Sequence, residues 1–389
     1  MKECTIIGIS DSRDQWFSPE VTSIIHSARI FSGGKRHHDI MAPWLPVGAV
    51  WIDITVPLAD VFRRYASHDS VIIFASGDPL FYGFANTVKR ECPGVSIRVY
   101  PYFNSLQMLA HRLNMPYHDM HVVSLTGRPW DKFDAALIRG FEQIGCLTDR
   151  HNTPHAIYQR MQEYGYNNYA MYVGENLGNE TTERVGPYSE QATYAVPNCV
   201  LLQRTHDLSR TMGIADSEFH LLHCRSKMIT KMPVRLCTLS VLDLARRQSF
   251  WDIGFCTGSI SIEAKLQYPH LSITSFEIRA EGTELMRLNS CRFHAPGINA
   301  VIGDFCQADL SLYPAPDAVF IGGYGGRMEE MLRHVHGVLK AGGCIVFNSV
   351  SQASKEEFLR VTTSLGMTAS VCYSLQVDDN NPITILKAL

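Results

Sequence analysis

The stretch "FWDIGFCTGSISIEAKLQ", residues 250–267, sets Asp252, Gly254, Thr257, Gly258 and Ser259 between an apolar, strand-like run and a helix-like one. A strand that ends in a glycine-bounded turn and leads into a helix puts backbone N–H groups and a helix N-terminus at the carboxyl edge of a parallel sheet. Such a place binds a nucleotide-like ligand. A dinucleotide fingerprint needs G-x-G-x-x-G, which Gly254-Phe255-Cys256-Thr257-Gly258 does not supply, so a nicotinamide dinucleotide is disfavoured. An adenosyl cofactor without a pyrophosphate fits better, with Asp252, Gly254 and Gly258 shaping a loop around its amino-acid end. Glu277, closing the next strand-like run "SITSFE", is spaced to accept hydrogen bonds from both ribose hydroxyls. Asp304 in "VIGD" is placed to accept from an adenine amino group. A glycine-rich turn alone can be mere geometry; the two acids in register are what point to a ligand. Cys256 stands where such loops often have glycine, and with no histidine near it in sequence it reads as a loop residue rather than a nucleophile.

A second turn with chemical potential is "ASGDPLFYG", residues 75–83. Asp78 suits an N-cap and Pro79 a first helical position, which predicts a helix starting there. Capping does not account for Gly77 and Gly83 together.

The elements that must position these loops alternate between strand and helix. Residues 4–9, 70–75 and 95–100 are short β-branched runs separated by helix-like segments punctuated by proline and glycine. A strand-like pair follows in "NYAMYVGENLGNETTERVG" and "NCVLLQRT". After the polar stretch 206–219 a second series begins: "SFWDIG", "SITSFE", "NAVIGD", "DAVFIGG", "GCIVFNSV" and "ITILKAL". That series fits a doubly wound, mostly parallel sheet. The expected fold class is α/β, in two domains, 1–205 and 216–389, with a linker at 206–215. A chain of 389 residues is itself too long for one ordinary core.

Net charge is −3 with no block of like charge, so nothing in the sequence favours nucleic acid or an anionic membrane surface as partner. The expected partner is a small molecule. Eleven cysteines lie scattered without a CxxC pair or a zinc-like Cys/His cluster, as in a reduced, cytoplasmic protein with no bound metal. "MKECTIIGIS" runs straight into a strand pattern, unlike a signal peptide, and no apolar run approaches the roughly 20 residues of a membrane span.

The loop at 250–259, with "ITKMPVRLCTLSVLDL", "FEIRAEG", "DAVFIGGYGG" and "VLKAGGCIVFNSV", resembles the Rossmann-like, decarboxylating methyltransferase domain that acts on carbon 15 in cobalamin biosynthesis. Upstream, "GGKRHH", "ASGDPLFYG", "SLTGRPW" and "YVGENLGNETTERV" resemble the tetrapyrrole methylase domain that methylates carbon 5 of the same macrocycle. The resemblance implies a tetrapyrrole methylase fold of two α/β subdomains followed by a Rossmann-like domain. It also implies S-adenosylmethionine as cofactor at two sites per chain, a tetrapyrrole substrate, loss of the carbon-12 acetate carboxyl as carbon dioxide, and a homo-oligomer.

By that resemblance Gly77, Asp78 and Pro79 line the first cofactor cleft, and Thr257 and Ser259 join Asp252, Gly254, Gly258, Glu277 and Asp304 at the second. Thr230 and Lys231 in "MITK" and His220 are the catalytic candidates, with His223 also beside the ring. Lys35, Arg36, Arg128, Arg225 and Lys227 would meet substrate carboxylates, and Gly322 and Gly323 would let backbone approach a flat ligand. His37 and His38 are expected on the surface. The chain departs from the tetrapyrrole methylase pattern at "GISD", residues 8–11, where Ser10 and Asp11 replace part of a glycine-proline-glycine turn, and at residues 101–105, a partial match to a second cofactor-proximal segment. Two readings follow: an active first domain with altered loop geometry, or a first domain that only presents substrate. A methyltransferase pair acting on another porphyrinoid is a third.

Overall fold

The computed structural model describes residues 1–389 except 224, 226, 227, 379 and 380. Contacts divide the chain into two units: Met1–Arg128, Phe141–Ile157 and Tyr169–Thr205 form one, and Pro129–Gly140, Tyr158–Asn168 and His206–Leu389 the other.

The first unit opens with β1 (Glu3–Ile9), β2 (Ile30–Gly33), β3 (Val50–Asp53), β4 (Ser70–Ser76) and β5 (Ser96–Tyr100), a parallel sheet in the order β3-β2-β4-β1-β5. Its two central strands are nearly continuous apolar runs because both faces are covered. Alternation assigns Cys4, Ile6, Val71 and Ile73 to one buried cluster and Ile7, Ile9, Ile72 and Phe74 to the other. A second sheet holds β6 (His121–Ser124), β7 (Gln143–Leu147), β8 (Tyr169–Glu175), β9 (Arg184–Pro187) and β10 (Asn198–Arg204) in the order β6-β7-β10-β8-β9. Only β6 and β7 run parallel there; β10 lies antiparallel between β7 and β8.

The second unit carries β11 (Ser249–Ile253), β12 (Ser272–Glu277), β13 (Ile298–Ile302), β14 (Ala318–Ile321), β15 (Cys344–Ser349), β16 (Ala369–Leu375) and β17 (Ile383–Ala388). Their order is β13-β12-β11-β14-β15-β17-β16, parallel except for β17, which is antiparallel to both its neighbours. Trp251, Val319 and Ile345 face one apolar cluster and Phe250, Phe320 and Val346 the other. The chain runs outward from β11 through β12 and β13, then returns to lay β14 on the opposite side of β11. That reversal opens a crevice at the carboxyl ends of β11 and β14, where sheets of this kind bind ligands. The helix Ser259–Gln267 begins at the same edge, directly after Gly258.

The helix expected at Pro79 starts instead at Phe84, with Gly83 in the capping position. Residues 78–83 form a turn, in which Phe81 N–H donates to the Asp78 carbonyl at 3.0 Å and Tyr82 takes a positive φ of 53°. Gly83 is packed so closely that a Cβ would stand 2.5 Å from the Pro79 carbonyl oxygen. The turn's tight return, rather than a cap, is why both glycines are there.

Candidate active sites

Each unit holds a large cleft at the carboxyl ends of its strands. The cleft of the second unit has a volume of about 650 Å³. Thr230, Lys231, Gly254, Thr257, Glu277, Asp304, Gly322 and Gly323 line it, so eight of the sequence candidates from five separate segments come together. Asp252 lies beneath, fully buried, and Gly258 and Ser259 form the start of the helix behind.

Its floor is backbone against backbone. Gly254 has a φ of +79°, and a Cβ there would stand 2.7 Å from the Gly323 nitrogen and 2.9 Å from its Cα. Both Gly322 N–H and Gly323 N–H donate to the Ile253 carbonyl, at 2.8 and 3.3 Å. Gly254 is thus required by the close approach of the neighbouring loop: two strand-end loops meet at the crevice and leave no room for a side chain at that position. Cys256, at φ +51°, spends the left-handed conformation on a residue with a Cβ. Its thiol is raised by burial and by the Glu277 carboxylate, and donates to the Met228 carbonyl at 3.2 Å, which suits a loop residue and not a nucleophile.

The acids are held firmly. Glu277 accepts from Cys256 N–H at 2.9 Å through one oxygen and from Arg279 through the other, by backbone at 3.0 Å and guanidinium at 2.9 Å. Asp304 accepts from Cys306 N–H at 3.0 Å and from Arg327 at 2.5 Å, and that guanidinium holds its carboxyl below the ordinary range. Asp252 accepts from Ser261 Oγ at 2.5 Å, but its other oxygen is buried without a partner, as is Thr257 Oγ1. Thr257 Oγ1, an unsatisfied polar atom of a lining residue beside the glycine cradle, is what an amino-acid ammonium or carboxylate would complete, so the residues present fit an S-adenosylmethionine-like group.

Burial pushes the Asp252 carboxyl up from 3.8 to about 7. Because the folded state binds this proton more tightly than the unfolded chain, the contribution of Asp252 to stability is greatest below about pH 4 and falls as pH rises toward 7. The expected result is that Asp252→Asn flattens this slope between pH 5 and 7, by about 3 °C in melting temperature per pH unit relative to the parent protein. Parallel pH–melting curves for the two would leave no place for an Asp252 proton.

The structure does not bring every candidate to this cleft. His220 and His223 do not line it; His220 is exposed, its backbone tied to the Asn289 side chain at 2.7 and 3.0 Å. Arg225 is exposed and also outside the lining, and Lys227 lies outside the described residues. Among the described residues the cations that line it are Lys231, Arg279 and Arg327. Lys231 reaches Asp216 at 3.6 Å. Arg279 and Arg327 were not singled out from sequence; the available signal was a cation two residues past a strand-end acid in "FEIR" and another closing "GGYGGR".

The cleft of the first unit has a volume of about 640 Å³ and is lined by Gly77, Asp78, Arg36 and Arg128, while Lys35 and Pro79 stay outside the lining. It repeats the same construction. Gly8 on β1 faces Gly77 so closely that a Cβ would stand 2.0 Å from the Gly77 carbonyl oxygen. Gly77 has a φ of +63°, and a Cβ there would stand 3.0 Å from the Asn104 Cα. Asp78 accepts from Leu80 N–H at 2.8 Å, and Arg128 lies over the Tyr82 ring and donates to Ser124. These features fit the same kind of ligand. His37 and His38 are half-buried rather than fully exposed: His37 lines the cleft, bonded to Ser76 Oγ at 2.9 Å, and His38 stacks on Trp51. Burial and the neighbouring Arg36 pull His37 down to about 4, so it is neutral near pH 7. Asp11, from the departing "GISD" turn, also lines the cleft. Among the described residues no group of three or more His, Cys, Asp or Glu is placed to hold a metal ion, and no helix is long and apolar enough to cross a membrane.

Two clefts with glycine floors, each at the carboxyl edge of its own α/β sheet, are the construction of a ligand-binding α/β protein in two units, and two family matches make it a methyltransferase. The family of tetrapyrrole (corrin/porphyrin) methylases matches residues 4–191, and the precorrin methyltransferase domain family matches residues 222–388. The chain is 29% identical over 353 residues, 89% of its length and 84% of the relative's, to the precorrin-6Y C(5,15)-methyltransferase (decarboxylating) of a Sinorhizobium species. Its second half is 33% identical over 155 residues to the cobalt-precorrin-6B C(15)-methyltransferase (decarboxylating) of Salmonella typhimurium, covering 40% of this chain and 79% of that one. Its first half is 25% identical over 183 residues to the cobalt-precorrin-7 C(5)-methyltransferase of the same organism, covering 46% of this chain and 88% of that one. The chain belongs to the precorrin-6Y C(5,15)-methyltransferase (decarboxylating) family.

Proposed function

We propose that this methyltransferase of cobalamin biosynthesis uses its two clefts for two different reactions, each with its own S-adenosylmethionine. The second cleft methylates carbon 15 of the precorrin and removes the carbon-12 acetate carboxyl; the first methylates carbon 5. The observation that carries this reading is the duplication of one construction, a glycine-to-backbone floor under a cleft of about 640 Å³ in one unit and about 650 Å³ in the other. It favours two catalytic halves over a first half that only presents substrate. The relatives' names, with cobalt-precorrin-6B for the C(15) enzyme and cobalt-precorrin-7 for the C(5) enzyme, support carbon 15 as the earlier step.

When bound, the cofactor supplies an electrophilic methyl group on a sulfonium, so the protein's work is alignment, charge placement and exclusion of water. In the second cleft the Gly254–Gly258 loop and the helix N-terminus at Ser259 receive the amino-acid end. Glu277 accepts from the ribose and Asp304 from the adenine. Lys231, Arg279 and Arg327 hold substrate carboxylates, and Thr230 sits beside the ring. Decarboxylation needs no further group if the methylated, cationic ring accepts the electron pair left by carbon dioxide. In the first cleft Gly77 and Asp78 receive the cofactor and Arg36 and Arg128 the substrate. Assembly as a homo-oligomer belongs to the same proposal.

Titration with S-adenosylhomocysteine tests the two-site reading. Two sites per chain are expected; a single site would favour the first half as a presenting module.

A further inference from the structure

The two reactions differ in their proton balance. At carbon 15, a methyl cation joins the ring and a carboxylate leaves as neutral carbon dioxide, so the electron pair left behind cancels the charge and no net proton departs. At carbon 5 nothing else leaves. The new C–C bond forms as the C–S bond breaks, a C–H bond of the ring breaks, its electron pair restores the double bond, and one proton must be accepted. Net release of a proton therefore belongs to the first cleft alone.

We propose that the Asp11 carboxylate is the catalytic residue that accepts this proton. This rests on the assignment of carbon-5 methylation to the first cleft. Asp11 lies two residues beyond the end of β1, on the cleft lining, with its side chain 13% exposed. Its two oxygens are held only loosely, one by Arg36 Nη1 at 3.3 Å and the other by Asn179 Nδ2 at 3.5 Å, which fixes the carboxylate while leaving lone pairs for a proton. A ring carbon bearing both hydrogen and the new methyl group beside a cationic double bond is a strong acid, so an ordinary carboxylate suffices.

The other titratable groups of the cleft are committed elsewhere. His37 Nδ1 accepts from Gly34 N–H at 3.3 Å, which leaves the proton on Nε2 to bond Ser76. The Cys199 thiol is buried and donates to the Ser105 carbonyl at 3.6 Å. Asp78 closes the Gly77 turn by accepting from Leu80 N–H and belongs to the cofactor side. Arg36 and Arg128 are cations, and Tyr82 carries Arg128 on its ring. In the second cleft the carboxylates on the lining among the described residues, Glu277 and Asp304, are held more tightly, by arginines at 2.9 and 2.5 Å against 3.3 Å for Asp11 and Arg36.

The test uses Asp11→Asn in the full chain with precorrin-6Y, S-adenosylmethionine and product mass as readout. The expected product has gained one methyl group and lost carbon dioxide, with carbon-5 transfer down by about 100-fold or more and two S-adenosylhomocysteine sites retained. Turnover in the second cleft serves as the folding control. Two methyl groups at the parent rate would overturn the proposal, and so would loss of the first binding site, which would make Asp11 a cofactor ligand. If Asp11→Asn stops both reactions, Asp11→Glu decides: its carboxylate should restore both, and failure to do so would also overturn the role. Failure of the parent protein itself to add a second methyl group would instead overturn the two-reaction reading.

Discussion

Gly254→Ala is expected to cut carbon dioxide release and carbon-15 methylation by at least about 100-fold and to lower S-adenosylhomocysteine stoichiometry from two to one. The cause is steric and local. The residue holds φ +79°, and its added Cβ would meet the nitrogen, Cα and oxygen of Gly323 at 2.7, 2.9 and 3.0 Å. All three are backbone atoms on the neighbouring strand-end loop, so no side chain can swing aside. The left-handed conformation and the overpacking together cost roughly 2–5 kcal/mol. Relief requires the two loops to part, and this displaces Glu277 as well, because it is tied to the same loop through Cys256 N–H at 2.9 Å. Carbon dioxide evolution and calorimetric titration report the two effects separately. A variant that still decarboxylates and binds two equivalents would mean that the crevice between β11 and β14 is not the reaction site.

Gly8→Ala should produce the reciprocal lesion. Its Cβ would stand 2.0 Å from the Gly77 oxygen and 2.6 Å from the Tyr102 nitrogen, between the two partners of a backbone hydrogen bond of 3.2 Å. No rotamer change relieves that position. The bond must break and β1 must move away from the ends of β4 and β5, at a cost of about 3 kcal/mol. The expected product from precorrin-6Y has lost carbon dioxide and gained a single methyl group, and one S-adenosylhomocysteine site remains. Retention of both methyl transfers would show that the floor of the first cleft is not needed for carbon-5 chemistry.

The sequence carried the second site further than the first. The run from Asp252 to Gln267 is local: the strand-end acid, the loop and the helix Ser259–Gln267 follow one another, and the helix bounds agree with the expected segment. Glu277 and Asp304 were readable because one closes β12 and the other follows two residues after β13, the next strand of the sheet. What sequence could not show was pairing at a distance. The role of Gly8 depends on Gly77, and that of Gly254 on Gly323; only sheet order makes each pair neighbours. Arg279 and Arg327 looked like ordinary loop cations until their guanidinium groups were seen on Glu277 and Asp304.

Local rules failed in two instructive places. Asp78-Pro79 has good capping chemistry, yet packing of Gly83 on Pro79 delays the helix to Phe84. β16 was missed because an edge strand with mostly exposed side chains lacks the apolar run that marked its neighbours. The first half's "GISD" segment read from sequence as a defect in a cofactor loop. In the folded unit Asp11 faces the cleft beside Arg36 and Asn179, which gives that departure a chemical use.

The most direct test of two working sites is the mass of the product formed by the full-length chain from precorrin-6Y with excess S-adenosylmethionine. Gain of two methyl groups with loss of one carbon dioxide is the predicted result. Gain of a single methyl group with that loss, at saturating cofactor, would contradict it and leave the second cleft as the one catalytic site.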